Sequence, residues 1–263
     1  MRAFAGEAAA RVGERLLVDG SRGRTESKED GSLVTAADRW ADETLREAVR
    51  ARFPDHGALT EEGSTSLPPN DWCWVIDPID GTTNFARGLP IWGISLGLLY
   101  RGEPVFGHVR FPAVGQSFDG IQTGGGGPDG AWLNGRPIRA LPREPSENRL
   151  FNVCARSVYL LRRPFPCKLR MLGSATYNLL LVAAGASLGG VERTPKIWDI
   201  AAAWPILHAA GAVWIPLDGL PPFPARRGDD YAGRSYPTLV AAGPELGRLF
   251  HDRLRVGPDD PPL

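Results

Sequence analysis

The sequence predicts an α+β half followed by a smaller α/β half, residues 1–145 and 146–263, packed as one unit. Two patterns carry this expectation. Up to the Asn134-Gly135 dipeptide, two helix-like segments precede a run of short apolar strands, and after about residue 150 strand-like and helix-like segments alternate. Length is the third observation: 263 residues can bury a large core, with ligands expected in the crevice between the halves.

Taken in order, residues 3–18 read as a helix because Phe4, Ala8, Val12 and Leu16 recur every four positions. The charge-rich residues 19–31 read as a mobile loop. Thr35-Ala-Ala-Asp38 opens a second helix, with Trp40, Leu45 and Val49 on its apolar side and Pro54 beyond its end. Trp74-Val-Ile76 reads as a short buried strand that Pro78 stops, since proline offers no N–H to a sheet ladder. Residues 91–100 and 105–111 form a meander about the turn Arg101-Gly-Glu-Pro104, and Asn134-Gly135 marks a hairpin. Beyond it, residues 150–155 and 213–216 read as strands, residues 175–184 and 198–210 as helices.

Composition narrows the function. Hydrophobic residues make up 43% and charged residues 23%, ordinary for a globular chain. Thirty basic residues balance thirty acidic ones, so no general attraction to nucleic acid or acidic membranes is expected. Cys73, Cys154 and Cys167 form no CxxC pair, which fits buried thiols in a reducing compartment better than a disulfide framework or a zinc site. The four histidines are scattered without metal spacing and read as structural or exposed. Arg2, Glu7, Arg11, Glu14 and Arg15 leave no apolar signal-peptide core. Residues 200–217 carry no formal charge, but Pro205, His208, Gly211 and Pro216 interrupt them, which argues against a membrane span. A cytoplasmic protein is expected.

The chemistry concentrates in Asp77-Pro-Ile-Asp80-Gly-Thr-Thr83. A buried strand delivers Asp77, the turn at Pro78 brings Asp80 near it, Gly81 permits close approach of a ligand, and Thr82 or Thr83 can cap the next helix. Two carboxylates there, with no Lys or Arg beside them in sequence, repel each other and lose solvation; one must take up a proton, or a cation must lie between them. Hard oxygen ligands at a strand end favour Mg²⁺ together with a phosphate. A plain turn is the competing reading of Asp-Pro and Asp-Gly. Taken singly, Glu61-Glu62 reads as a solvated pair, and Asp199 and Asp38 as helix starts. Gly124 to Gly127 lacks the Lys-Ser/Thr of a nucleotide loop.

Together, in this order, these segments closely resemble the inositol-monophosphatase family of lithium-sensitive, Mg²⁺-dependent sugar phosphatases. The resembling stretches are Leu33-Val-Thr-Ala-Ala-Asp38, Thr60-Glu61-Glu62, Trp74-Val-Ile-Asp77-Pro-Ile-Asp80-Gly-Thr-Thr-Asn-Phe85 and Trp198-Asp199-Ile-Ala-Ala202. Glu103-Pro-Val-Phe-Gly107, Leu133-Asn-Gly-Arg-Pro-Ile138 and Arg170-x-x-Gly173-Ser-Ala175 match its connecting segments, so the resemblance covers roughly residues 4–245.

The resemblance implies a layered αβαβα sugar-phosphatase fold and a homodimer. It implies that Glu61, Asp77, Asp80, Asp199 and the carbonyl of Ile79 hold two or three Mg²⁺, and that Thr82 and Asp38 orient the attacking water and help deprotonate it. Backbone N–H groups of Gly81 and Thr82 would hold phosphate oxygens; Asp80, Gly173, Ser174, Ala175 and Glu192 would meet the rest of the substrate. Such chemistry needs no covalent nucleophile, because positioning and charge stabilisation do most of the work in phosphoryl transfer. Thr-Thr-Asn-Phe after Asp80-Gly81 favours a phosphorylated polyol of inositol type, with fructose 1,6-bisphosphate, NADP and histidinol phosphate as alternatives. Some bacterial members act on the transcription machinery, with phosphatase activity secondary, so the resemblance also allows a binding module of that kind. Departures from the pattern are Thr60, Trp204-Pro205, Ala212 and the glycine-rich loop 123–130; Trp204 and that loop are expected to bear on substrate fit.

Overall fold

Five layers of secondary structure, α/β/α/β/α, build the protein, and a computed structural model describes residues 1–20, 25–27, 33–124 and 129–256 of it. The outer helices are α1 (Arg2–Asp19) and α2 (Ala36–Arg52). Thr35 caps α2 in a reciprocal capping box with Asp38: Oδ2 of Asp38 accepts from the Thr35 N–H at 2.8 Å, and Thr35 Oγ1 accepts from the Asp38 N–H at 3.3 Å. A two-stranded ribbon, β1 (Thr25–Ser27) and β2 (Leu33–Thr35), lies between these helices in sequence. Most of the loop expected at 19–31 lies outside the described residues.

The first sheet has the order β3-β4-β5-β6-β7-β8-β9. Its strands are β3 (Gly57–Thr60), β4 (Trp72–Asp80), β5 (Gly93–Tyr100), β6 (Glu103–Phe111), β7 (Gln116–Ile121), β8 (Gly130–Leu133) and β9 (Arg136–Pro137). The expected meander is β5–β6. The expected hairpin is β8–β9, with Asn134 and Gly135 both at positive φ, as a mirror-image turn requires. Strand β4 is buried on both faces: Trp74 and Ile76 face the α1/α2 layer while Cys73 and Val75 face the interior of the molecule. Pro78 does not stop it. The strand runs on to Asp80 with a register shift between Asp77 and Asp80, and Asp77 Oδ1 accepts the Ile79 N–H at 3.0 Å. A bulge absorbs the missing proline donor. Gly81, in the left-handed region at φ 90°, then caps the short helix α3 (Thr82–Ala86), so Thr82 and Thr83 are its first residues and not its caps.

The second sheet, order β11-β10-β12-β14-β13, comprises β10 (Leu150–Val153), β11 (Lys168–Arg170), β12 (Gly189–Glu192), β13 (Val213–Pro216) and β14 (Thr238–Ala241). Between the sheets lie α4 (Ala175–Ala183), α5 (Ile197–Ile200) and α6 (Ala203–Ala209), and α7 (Pro244–His251) covers the far face. One cluster of buried apolar side chains, from Leu59 to Leu254, runs through both sheets. The helix expected over 198–210 is divided because Pro205 has no N–H for the carbonyl of Ala201; its ring is tolerated in the first turn of α6. None of the described helices is long and apolar enough to cross a membrane.

Gly97, Gly107 and Gly120 are register partners on β5, β6 and β7, forming a row across the first sheet. A Cβ on Gly97 would stand 2.8 Å from the Ala201 carbonyl carbon, one on Gly120 2.5 Å from the Ile206 Cα, and one on Gly107 would strike the Ala202 backbone. The main chain of the α5–α6 junction and of α6 therefore lies directly on the sheet, closer than a side chain would permit. Gly107→Ala should lower the melting temperature by roughly 5 °C or more, as overpacking against rigid backbone does in a domain of this size, measured by calorimetry against wild type.

Candidate active site

The bulge in β4, the residue after β3 and the first turn of α5 meet at one end of the first sheet. Asp77, Asp80 and Asp199 each direct a carboxylate oxygen into one cluster, all within 4.8 Å of one another. Asp77 is 1% exposed and Asp80 5%. Glu61 follows β3, its N–H donating to the Ile76 carbonyl at 3.2 Å, and lines the same cavity of about 280 Å³. Ile79, Gly81, Thr82, Thr65, Lys196, Trp198, Arg156 and Thr194 complete its walls with Ala232.

Each acid is held by the backbone around it. Asp80 accepts from Ser174 Oγ at 2.5 Å, from the Thr176 N–H at 2.9 Å and from the Ala175 N–H at 3.1 Å, so the first turn of α4 is fastened to β4. Asp199 Oδ2 accepts from the Lys196 N–H at 2.6 Å, and its own carbonyl accepts from Thr176 Oγ1 at 3.0 Å. Ser95 Oγ donates to the Trp198 carbonyl at 3.3 Å, which ties β5 to α5. Thr82 Oγ1 stands 3.1 Å from Asp38 Oδ1 and 2.9 Å from the Ile79 carbonyl. Asp38, 1% exposed, thus joins the cap of α2 to the first residue of α3.

A second cavity of about 370 Å³ adjoins the first, sharing Arg156, Thr194 and Asp199 with it. Gly173, Ser174, Ala175 and Glu192 line it, together with Cys154 and Asn178. Gly173 is at φ 78°, where a Cβ would press on the Asn84 amide; Asn84 Nδ2 donates to the carbonyls of Ile91 and Leu172, 2.7 Å each. The Ser174 hydroxyl donates to Asp80 and accepts from the Tyr177 N–H, so its work in this geometry is to hold Asp80 and start α4. Glu192 is 3% exposed and accepts from Asn178 Nδ2 at 2.7 Å. That burial excludes an exposed ion pair with Arg193 or Lys196.

Sequence reasoning missed Thr176, Asn178, Lys196, Arg156 and Thr194, none of which stands in a motif. Trp204, expected to bear on substrate fit, lines neither cavity; its ring packs 5.0 Å from Trp214 and 5.2 Å from Phe223. Residues 125–128 of the glycine-rich loop lie outside the described residues.

Electrostatics make the cluster cation-seeking. Burial, reinforced by the charges of Glu61, Asp80 and Asp199, pushes the Asp77 carboxyl well above the usual carboxylate range. Burial and then the Asp80 charge push Asp199 up to about 8. Burial raises Asp80 too, against the hydrogen bonds from Ser174, Thr176 and Ala175. Glu192 is pushed up to about 8 by burial, opposed by Asn178 and Cys154. Each shift says that the ionised form lacks a counter-charge. Oxygen donors without nitrogen or sulfur suit a hard divalent cation, so Asp77, Asp80 and Asp199 fit one.

An Inositol monophosphatase family model matches residues 1–243. The chain belongs to the inositol monophosphatase family. An inositol-1-monophosphatase of Synechocystis is 36% identical, covering 73% of this chain and 69% of its own. A histidinol-phosphatase of Chlorobaculum parvum is 33% identical over 70% and 73% of the two chains. A Nus factor SuhB of Pasteurella multocida is 30% identical over 94% and 93%. Among solved structures, an IMPase of Thermotoga maritima superposes with a TM-score of 0.79 at 28% identity, over 95% of this chain and 96% of that one. The five layers are those of the sugar-phosphatase fold. As an inositol monophosphatase family member the chain is a phosphoric monoester hydrolase; the family is metal-dependent and acts on small phosphorylated substrates.

The raised carboxyls fix how the metal-free protein responds to pH. A carboxyl whose folded pKa lies above its unfolded value binds a proton on folding. The stability it adds is complete below the unfolded value near 4 and is lost as pH rises through the folded value, about 8 for Asp199. In chelator, the melting temperature should therefore fall between pH 5 and pH 8, and Mg²⁺ at pH 8 should restore it. Asp199→Asn should flatten that pH dependence, read by thermal denaturation across the range.

Proposed function

We propose that this chain hydrolyses the phosphate monoester of a small polyol, inositol monophosphate being the substrate it suits best. Two or three Mg²⁺ would be held by Glu61, Asp77, Asp80, Asp199 and the Ile79 carbonyl. The observation that carries the reading is the meeting of Asp77, Asp80 and Asp199 within 4.8 Å, beside the Thr82–Asp38 contact. Divalent cations bound there supply positive charge against the phosphate and lower the pKa of water.

The chain's own groups do the rest. Thr82 Oγ1 can pass its proton to Asp38 Oδ1 while accepting one from the attacking water, which fixes that water and draws off its proton. Gly81, at φ 90° with the Ile91 and Gly173 carbonyls packed where a Cβ would stand, holds a turn whose N–H and that of Thr82 could meet phosphate oxygens. The polyol would then enter the second cavity, where Glu192 and the Gly173-Ser174-Ala175 turn meet its hydroxyls. In this reading residues 1–145 supply the cation and water-orienting groups, and residues 146–263 supply Asp199 and the substrate contacts. Family resemblance further supports a homodimer, and the three free cysteines support a reducing, cytoplasmic location.

Likeness to a histidinol-phosphatase keeps histidinol phosphate as an alternative substrate, along with fructose 1,6-bisphosphate and NADP. Likeness to a Nus factor favours a second reading, binding to the transcription machinery with hydrolysis secondary. Capture of RNA polymerase that survives Asp77→Asn would support it.

Phosphate release from inositol 1-phosphate should cease in excess chelator, and Asp77→Asn or Asp199→Asn should lower kcat by about 10² or more. Unchanged turnover in chelator would sink the proposal. Glu192→Gln should reduce kcat/KM for inositol phosphate by roughly 1–3 kcal/mol and spare a simple aryl phosphate, which has no hydroxyl to lose. Equal losses on both would make Glu192 a support of the fold. Lithium at tens of millimolar should inhibit, Li⁺ replacing a weakly held cation near Asp80 and Asp199.

A further inference from the structure

Arg156 stands where the two cavities join. It follows β10 in a short 3₁₀ segment, Ala155–Leu160, and its side chain is exposed at the mouth of the site. It lines both cavities, as do only Thr194 and Asp199 among the described residues. Its Nη1 donates to Thr194 Oγ1 at 2.9 Å, which holds the guanidinium across the seam. Among the described residues no carboxylate lies within ion-pair distance of it, and it lines the mouth of both cavities.

The other nearby cations are differently placed. Lys196 lines the carboxylate cavity alone, and its ammonium donates to the Ala232 carbonyl at 3.0 Å. Arg193 lies over the Tyr159 ring and lines neither cavity. Arg156 is therefore the single cationic side chain among the described residues lining the second cavity. A neutral polyol offers it hydroxyl oxygens but no charge. A guanidinium presents parallel N–H groups that match the oxygen pair of a phosphate or carboxylate, and one already fixed by a neighbouring hydroxyl loses less freedom on binding.

We propose that Arg156, braced by Thr194, is a specificity residue for a second anionic group on the substrate, remote from the phosphate that is cleaved. The substrate class becomes a phosphorylated polyol or sugar that also carries a distal phosphate or carboxylate. This rests on the hydrolase reading above and adds to it a selectivity that Asp77, Asp80 and Asp199 cannot supply.

The test uses matched pairs of substrates on the Mg²⁺-loaded enzyme. Fructose 1,6-bisphosphate and fructose 1-phosphate differ only in the distal phosphate. The pair 3-phosphoglycerate and glycerol 3-phosphate differ only in a distal carboxylate. Wild type should favour the doubly anionic member of at least one pair by about tenfold or more in kcat/KM, and the favoured pair tells phosphate from carboxylate recognition. Arg156→Gln should remove most of that preference through KM, with Arg156→Lys intermediate because the charge survives and the fork does not. The preference should also shrink as salt rises. Equal loss on both members of each pair, or no preference in wild type, would overturn the assignment while leaving the hydrolase reading intact. No phosphate release from any of the four while inositol 1-phosphate is hydrolysed would overturn the subsite alone. No release from inositol 1-phosphate either, with native melting behaviour, would overturn the hydrolase reading and the subsite with it.

Discussion

The site depends on how closely a helix backbone can approach a sheet. Asp199 belongs to α5, far along the chain from Asp77 and Asp80, and it reaches them on a segment whose continuation, Ala201-Ala202 and α6, rests its main chain on Gly97, Gly107 and Gly120. Side chains at those positions would lift the segment away, and with it the third carboxylate. The Ser95–Trp198 and Thr176–Asp199 hydrogen bonds then set its position along the sheet. Packing and chemistry are thus one problem here: the residues with no side chain position the residues whose side chains react.

Bringing acids together in a buried place opposes folding, and the structure shows what offsets it. Asp80 alone accepts two backbone N–H groups and a serine hydroxyl, and Asp199 and Asp77 accept one backbone N–H each. Such donors stabilise the ionised forms without adding a positive side chain that would compete with a cation. A buried lysine or arginine in the cluster would satisfy the carboxylates and close the site to metal. The apolar core that runs through both sheets supplies the remaining stability, so the acids persist as a local strain within a well-packed whole.

Much of the fold was legible because its signals are local. The four-residue recurrence in α1, the Thr35–Asp38 cap of α2, the meander β5–β6 and the Asn134-Gly135 hairpin each depend on neighbours in sequence. Errors arose where tertiary contacts overrode a local rule. Pro78 should have ended β4, but pairing to β5 on both sides of a bulge carried the strand on to Asp80. Trp204 looked like an intruder beside Asp199, yet helical geometry turns it toward Trp214 and Phe223. Glu192 could have been a surface charge; only the burial of β12 against α4 gave it Asn178 as a partner.

The sequence by itself determined the family, the chemical class and the candidate ligands, because four acidic segments, residues 33–38, 60–62, 74–85 and 198–202, stand together in one order, although the run 77–83 taken singly could be a plain turn. Tertiary structure alone decided which groups hold those acids, that the helix expected from Trp198 onward divides at Ala201-Ala202, and that Arg156 reaches the mouth of the site. The reason is physical. Metal-ligand types and turn residues are written in local covalent order, whereas a row of glycines becomes a groove, and a lone arginine becomes part of a binding site, only when chain segments distant in sequence pack together.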